Sequence, residues 1–243
     1  MKQNRYDDPI FFEKYAQMHR SRFGLNGAGE WETLQKLLPD FAGKRVLDLG
    51  CGYGWHCAYA VQMGAQSVLG VDISEKMLAA AAEKHAFPNV TYHRCAMEDL
   101  SLPDGSTDIV LSSLALHYVR DYATLVRRIS RWLTAGGHFV FSVEHPVFTA
   151  QGPQDWVYDK SGAISHFPVD NYYYEGERDA VFLGERILKY HRTLTTYLTA
   201  LTDAGLCIRA VAEPQPPQSM MDIPGMRDEM RRPMMLIVAA QKP

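Results

Sequence analysis

Val46-Leu47-Asp48-Leu49-Gly50-Cys51-Gly52-Tyr53-Gly54 carries an apolar run into a glycine-rich turn, and Trp55 opens a helical pattern behind it. Glycine suits such a turn because a side chain would hold a ligand away from the backbone, and because a sharp strand-to-helix turn calls for positive φ. The next apolar run, Val68-Leu69-Gly70-Val71-Asp72, ends on a carboxylate placed to accept both hydroxyls of a ribose. Strand, glycine turn, helix and acid-ended strand in this order predict a nucleoside-binding α/β fold.

Outward from this stretch, short apolar runs alternate with helical patterns, as in a parallel sheet covered on both faces. Strands are expected at Arg45–Leu49, Ser67–Asp72, Val90–Cys95, Asp108–Ser112, His138–Glu144, Leu206–Glu213 and Met234–Gln241. Helices are expected near Trp55–Met63, Ser74–His85, Tyr122–Leu133 and Thr195–Ala204, with Gly136-Gly137 read as a helix C-cap. The fold class is a doubly wound, mostly parallel seven-stranded sheet with an antiparallel last strand, forming one domain over 1–243. Residues 1–43 read as a helical cover, with helices at Pro9–Met18 and Gly29–Leu38. Residues 145–187 break the alternation with Pro, Gly, Asp and aromatic residues, and read as a lid-like insertion after the fifth strand.

Composition narrows the function. A net charge of -3 offers no broad basic surface for phosphates, so no nucleic-acid partner is expected. The basic pairs Arg127-Arg128 and Arg231-Arg232 read as solvated helix faces. No apolar stretch reaches the roughly 20 residues that span a bilayer, and the first residues lack a secretory pattern. A cytoplasmic protein without a membrane partner is expected. Cys51, Cys57, Cys95 and Cys207 form no CxxC pair, and Cys51, His56 and Cys57, which could be imagined as metal ligands, adjoin a turn whose residues have a better explanation, so no metal is expected.

Glycine spacing separates the nucleoside cofactors. A nicotinamide or flavin turn has G-x-G-x-x-G, whereas this chain has G-x-G-x-G followed by bulky Trp55. A Walker loop would need Gly-Lys-Ser or Gly-Lys-Thr. The cofactor is therefore expected to have no phosphate to cradle. Val46-Leu47-Asp48-Leu49-Gly50-Cys51-Gly52 resembles the first motif of class I S-adenosylmethionine-dependent methyltransferases, and Val71-Asp72-Ile73-Ser74 resembles the second. Ala96-Met97-Glu98-Asp99-Leu100 is similar to the family's adenine loop, and Ser112-Ser113-Leu114-Ala115-Leu116-His117 and Leu133-Thr134-Ala135-Gly136-Gly137 follow in the family's order.

The resemblance implies S-adenosyl-L-methionine as cofactor and a small-molecule acceptor. It implies Gly50, Cys51 and Gly52 against the methionine portion, Asp48 orienting its ammonium directly or through water, Asp72 on the ribose and Ile73 on the adenine. Met97 would give a backbone N–H to the adenine, and Glu98 or a backbone carbonyl would serve where many relatives carry an aspartate and this chain has Ala96. Met77, Ser113 and Leu114 complete the expected cofactor set, with Tyr15 on the helix that would cover the methionine end. Two alternatives share parts of the pattern: a non-catalytic S-adenosylmethionine-binding protein, and a nicotinamide-dependent oxidoreductase, which the glycine spacing disfavours.

Methyl transfer is an in-line displacement whose main demand is alignment, and a base is needed only for a protonated nucleophile. Candidates therefore come from position. His117 follows the fourth strand, His145 ends the fifth before Pro146, and His191 precedes the Thr195 helix; all three are expected at the acceptor. Arg192 could clamp an anionic acceptor, Tyr172-Tyr173-Tyr174 could line the pocket, and the methionines between Met220 and Met235 read as core packing. The pattern selects neither the methylated atom nor an oligomeric state.

Overall fold

Successive residues of a strand point to opposite faces of its sheet, and here both faces are apolar. The computed structural model describes residues 4–243. Its main sheet contains β1 (Arg45–Leu49), β2 (Ser67–Asp72), β3 (Val90–Arg94), β4 (Thr107–Ser113), β5 (Leu133–Glu144), β10 (Cys207–Ala212) and β11 (Met235–Gln241). Their order is β10-β11-β5-β4-β1-β2-β3, with β11 antiparallel to both neighbours and the other pairings parallel. Leu47, Leu49, Val110, Phe139, Phe141 and Val238 pack on α6 (Tyr122–Trp132) and α8 (Leu194–Asp203). Val46, Val68, Ile109, Leu111, Val140 and Ile237 face α3 (Trp31–Leu37), α4 (Trp55–Gln62) and α5 (Glu75–Lys84). Side chains cap three of these helices: Ser74 accepts from the Met77 N–H, Asp121 from Thr124 and Thr193 from Thr196.

Strand order reverses between β1 and β4, so the connections leaving their carboxyl ends run to opposite sides of the sheet and leave a crevice between them, the usual ligand position in an open α/β sheet. Over it lie α1 (Pro9–Ala16), capped by Asp8, and the short α2 (His19–Phe23).

One expectation is corrected. Helix α6 stops at Trp132 and β5 begins at Leu133, so Gly136-Gly137 belong to the strand. Gly136, at φ 75°, lies within a break in the β4–β5 register between Thr107/Leu133 and Ile109/His138. Residues 145–187, where the alternation of strand and helix breaks off, carry regular elements of their own. They form α7 (Pro146–Thr149), the hairpin β6 (Val157–Tyr158) with β7 (Ile164–His166), and β8 (Gly176–Phe182), which pairs with β9 (Glu185–His191).

Candidate active site

The turn after β1 takes its shape from glycine. Gly50, Gly52 and Gly54 have φ of 75°, 52° and 74°, a region costly for side-chain-bearing residues. A Cβ on Gly50 would lie 2.4 Å from that of Ala115, so β1 and β4 close tightly at the crevice floor. At Gly52 an added Cβ would meet no protein atom within 4 Å, because this face opens on a cavity. The half-buried Asp72 ties the turn to β2: Oδ2 accepts from the Gly52 N–H and Oδ1 from the Ser74 N–H, each at 2.9 Å. Burial raises its pKa against the pull of these donors. Each oxygen retains accepting capacity for a ribose hydroxyl.

The cavity measures about 560 Å³ and runs from this turn to β9. Gly50, Cys51, Gly52, Asp72, Ile73 and Met77 line it from the first two strands and their helices. Ala96, Met97 and Glu98 line it from the loop after β3, and Ser113, Leu114 and His117 from the end of β4. Leu114 holds φ 51°, a conformation uncommon outside glycine; its N–H donates to the Ser142 carbonyl oxygen at 2.9 Å. Tyr15 enters from α1.

Asp48 stands elsewhere. It is 1% exposed and absent from the cavity wall, with Oδ2 accepting from the Cys57 thiol at 3.3 Å and Oδ1 unpartnered among the described residues. The alternation of β1 turns its side chain toward α4, and burial pushes its pKa up to about 7.

Of the three histidines, only His117 lines the cavity. His145 instead caps α7, its Nδ1 accepting from the Val147 N–H at 3.1 Å while Nε2 lies 2.8 Å from Glu213. The His191 Nε2–H donates to the Tyr172 carbonyl oxygen at 2.8 Å, so its Nδ1 accepts from the Thr149 hydroxyl, also at 2.8 Å. Both rings join the insertion to neighbouring elements. Arg192 is likewise structural, donating to the carbonyl oxygens of Val119 and Arg120 and stacking over Tyr122 and Tyr197. Tyr172 accepts from the Leu194 N–H, and Tyr173 and Tyr174 face outward.

The roof differs from expectation in the same way. No residue of Pro146–Asp179 lines the cavity; Phe182, Ile187, Leu188 and Tyr190 of the β8–β9 hairpin do. The aromatic residues Phe148, Trp156 and Phe167 are drawn outward around Arg232, whose guanidinium lies 4.4–5.0 Å from their ring centroids. That arginine is buried between the rings, where the sequence suggested a solvated face.

Several lining residues lacked a signal in the sequence. Tyr6 and Tyr118 bring their hydroxyls to 3.4 Å, and Tyr6 packs edge-on against Tyr15. Arg20 pairs with the buried Glu30 at 2.5 Å and faces the cavity beside His56. Glu144 accepts from Lys189 at 2.6 Å and from Gln154 at 2.8 Å; burial pushes its pKa up, and the neighbouring His117 and Lys189 bring it below the ordinary value. Met234 and Met235 also reach the wall. Only Glu144 was foreshadowed, by its place at the end of a parallel strand.

The sequence profile of the methyltransferase-domain family matches residues 47–141, from β1 through most of β5. A Haemophilus influenzae protein of uncharacterized function is 32% identical over 249 residues, covering 98% of this chain and 96% of that protein. Among solved structures, a candidate S-adenosylmethionine-dependent methyltransferase from Listeria monocytogenes is 50% identical, with a TM-score of 0.86 over 90% of this chain and 99% of its own. An S-adenosylmethionine-dependent methyltransferase from Mesorhizobium loti is 44% identical, with a TM-score of 0.83 over 90% and 100%. With the glycine turn, the acid ending β2 and the crevice where the strand order reverses, this similarity places the chain in the class I S-adenosylmethionine-dependent methyltransferase family, as an enzyme with S-adenosylmethionine as its cofactor.

Proposed function

We propose that the protein methylates a small molecule held between the glycine turn, α1 and the β8–β9 hairpin. One observation carries this reading: the Asp72–Gly52 turn and the aromatic chamber under Tyr190 belong to one continuous cavity, so donor and acceptor can meet inside it. A cavity of about 560 Å³ suits a cofactor with a small partner better than a nucleic acid. The residues fit the cofactor, since the Gly52 face is open and the Asp72 oxygens are set by backbone donors. When bound, S-adenosylmethionine supplies a methyl group on a sulfonium.

The chain's own residues supply position and dryness. Asp72 accepts from the ribose hydroxyls, Ile73 and Met97 flank the adenine, and Gly50–Gly52 leave room for the methionine portion. Arg20 retains guanidinium donors beyond its bond to Glu30, which suit the methionine carboxylate. Tyr6, Tyr15, Tyr118 and Phe182 wall off water around the transfer line. Residues 145–187 act as a lid through the β8–β9 hairpin alone. Asp48 acts behind the turn, on its shape. No described helix is long and apolar enough to cross a membrane. Four unpaired cysteines support the cytoplasm as the place of action.

The test is release of S-adenosylhomocysteine against a panel of small metabolites. Turnover dependent on one panel member supports the reading; tight cofactor binding without turnover on any member counts against it.

A further inference from the structure

A backbone N–H can only donate, so a ring nitrogen that meets one must bring a lone pair. At His117 that nitrogen is Nδ1, which accepts from the Glu144 N–H at 3.3 Å. A neutral ring so held carries its proton on Nε2, and forming the imidazolium would set two N–H groups against each other. The ring is 2% exposed and lines the cavity, and among the described residues no group accepts from Nε2. Glu144 on β5 favours a charged ring, while Lys189 on β9, Arg192 beyond it and Arg20 on α2 oppose it. Burial outweighs them all and lowers the pKa to about 4. Tyr118 packs against the ring with centroids 4.4 Å apart.

Apart from Asp72 and Glu98, which the methyl-transfer reading sets against the cofactor, the titratable groups lining the chamber are poorly suited to take a proton from an alcohol. Each Glu144 oxygen already accepts a hydrogen bond, one of them from the Lys189 ammonium, which makes it a weak base. Burial lowers His56 to about 4 and raises Tyr6 and Tyr118 above the ordinary phenol range. Meanwhile Arg5 and Arg120 line the same cavity with no carboxylate partner among the described residues. The chamber thus offers a fixed N–H donor and, among the described residues, cations without a carboxylate partner, and no base stronger than a carboxylate.

We propose that His117 is a hydrogen-bond donor to the acceptor, and that the acceptor is a carboxylate. One carboxylate oxygen accepts from Nε2–H while the other attacks. A lone pair of that oxygen forms the bond to the methyl carbon, and the carbon–sulfur bond breaks with its pair left on sulfur. The products are a methyl ester and S-adenosylhomocysteine, and no proton has to be placed. This inference rests on the methyl-transfer reading above.

The experiment uses protein labelled with ¹⁵N at histidine and saturated with S-adenosylhomocysteine, the His117 signal being assigned by its absence in His117→Gln. The Nε2–H tautomer should persist unchanged from about pH 5.5 to about 8.5. Small mono- and dicarboxylic acids should shift the Nε2 signal, whereas their amides and matched amines should not. A neutral-range titration, an Nδ1–H tautomer or failure of every acid to move the signal would overturn the proposal. Turnover provides a second reading, because glutamine keeps a donor at the position of Nε2 without basicity. With an acid that is methylated, His117→Gln should retain kcat within about tenfold, while His117→Leu should raise KM by about tenfold or more. Methylation of an alcohol or amine in place of the acids would also overturn it. Absence of any S-adenosylhomocysteine binding would instead sink the methyl-transfer reading, so the two failures are distinct.

Discussion

Asp72, Gly52 and Asp48 lie within one turn of each other and do different work. On the proposed reading Asp72 offers a charged acceptor to two ribose hydroxyls, a kind of contact worth about 1.5 to 3 kcal/mol. Asp72→Ala should therefore weaken S-adenosylhomocysteine binding by roughly ten- to a hundredfold in calorimetry. Equal affinity in the variant would remove the ribose assignment. Gly52→Val should abolish that binding through collision in the open space beside the turn. Its positive φ adds about 1 to 3 kcal/mol of strain, so a cooperative melt at modestly lower temperature should accompany the loss. Asp48 predicts a pH effect. Its folded pKa of about 7 exceeds the ordinary 3.8, so between those values the folded state holds a proton that the unfolded state has released. Its contribution to stability is therefore largest below 3.8 and is lost as pH rises toward about 7. Asp48→Asn removes this titration, and the melting temperature of the variant relative to the parent should climb across that window. A constant difference would mean that Asp48 is ionised throughout.

At the scale of elements, the insertion after β5 is held by charge against aromatic faces. Arg232 pairs with Glu229 at 2.7 Å and lies over Phe148, Trp156 and Phe167, joining α7 and the flanks of β6 and β7 to the segment before β11. Arg232→Ala removes three ring contacts and leaves the half-buried Glu229 carboxylate without its partner, at a cost of about 2 to 4 kcal/mol. A lysine presents no planar face and should recover little of it. Urea midpoints of the three proteins check this; full recovery by lysine would reduce the clasp to simple charge. The role of these residues was hidden in the sequence. These aromatic residues of 145–187 read there only as part of a lid-like insertion and Arg232 as solvated, because composition does not reveal which way a long segment folds back. The strands were plain, since β-branched runs buried on both faces need no partner to be recognised.

Across the whole molecule, one sheet with two covered faces couples the crevice to the core. Phe141 is fully buried against Tyr122 and Tyr197, at centroid distances of 6.2 and 6.5 Å. Phe141→Ala should lower stability by about 3 to 5 kcal/mol by denaturant titration, and a loss below about 1 kcal/mol would mean that the α6–α8 layer repacks freely. The sequence by itself determined the seven strands, the antiparallel last strand, the glycine turn and the acid ending β2. Each of these is written in local periodicity or in a short motif whose backbone geometry needs particular residues. Only the tertiary structure decided that Asp48 lies behind the turn, that His145 and His191 serve as joints, and that Tyr6, Arg20 and the β8–β9 hairpin enclose the chamber. Those placements depend on contacts between residues far apart in the chain. Bonding at both nitrogens of a histidine ring, like burial of a carboxylate, is settled by whatever neighbours the fold brings to it, and no local pattern encodes them.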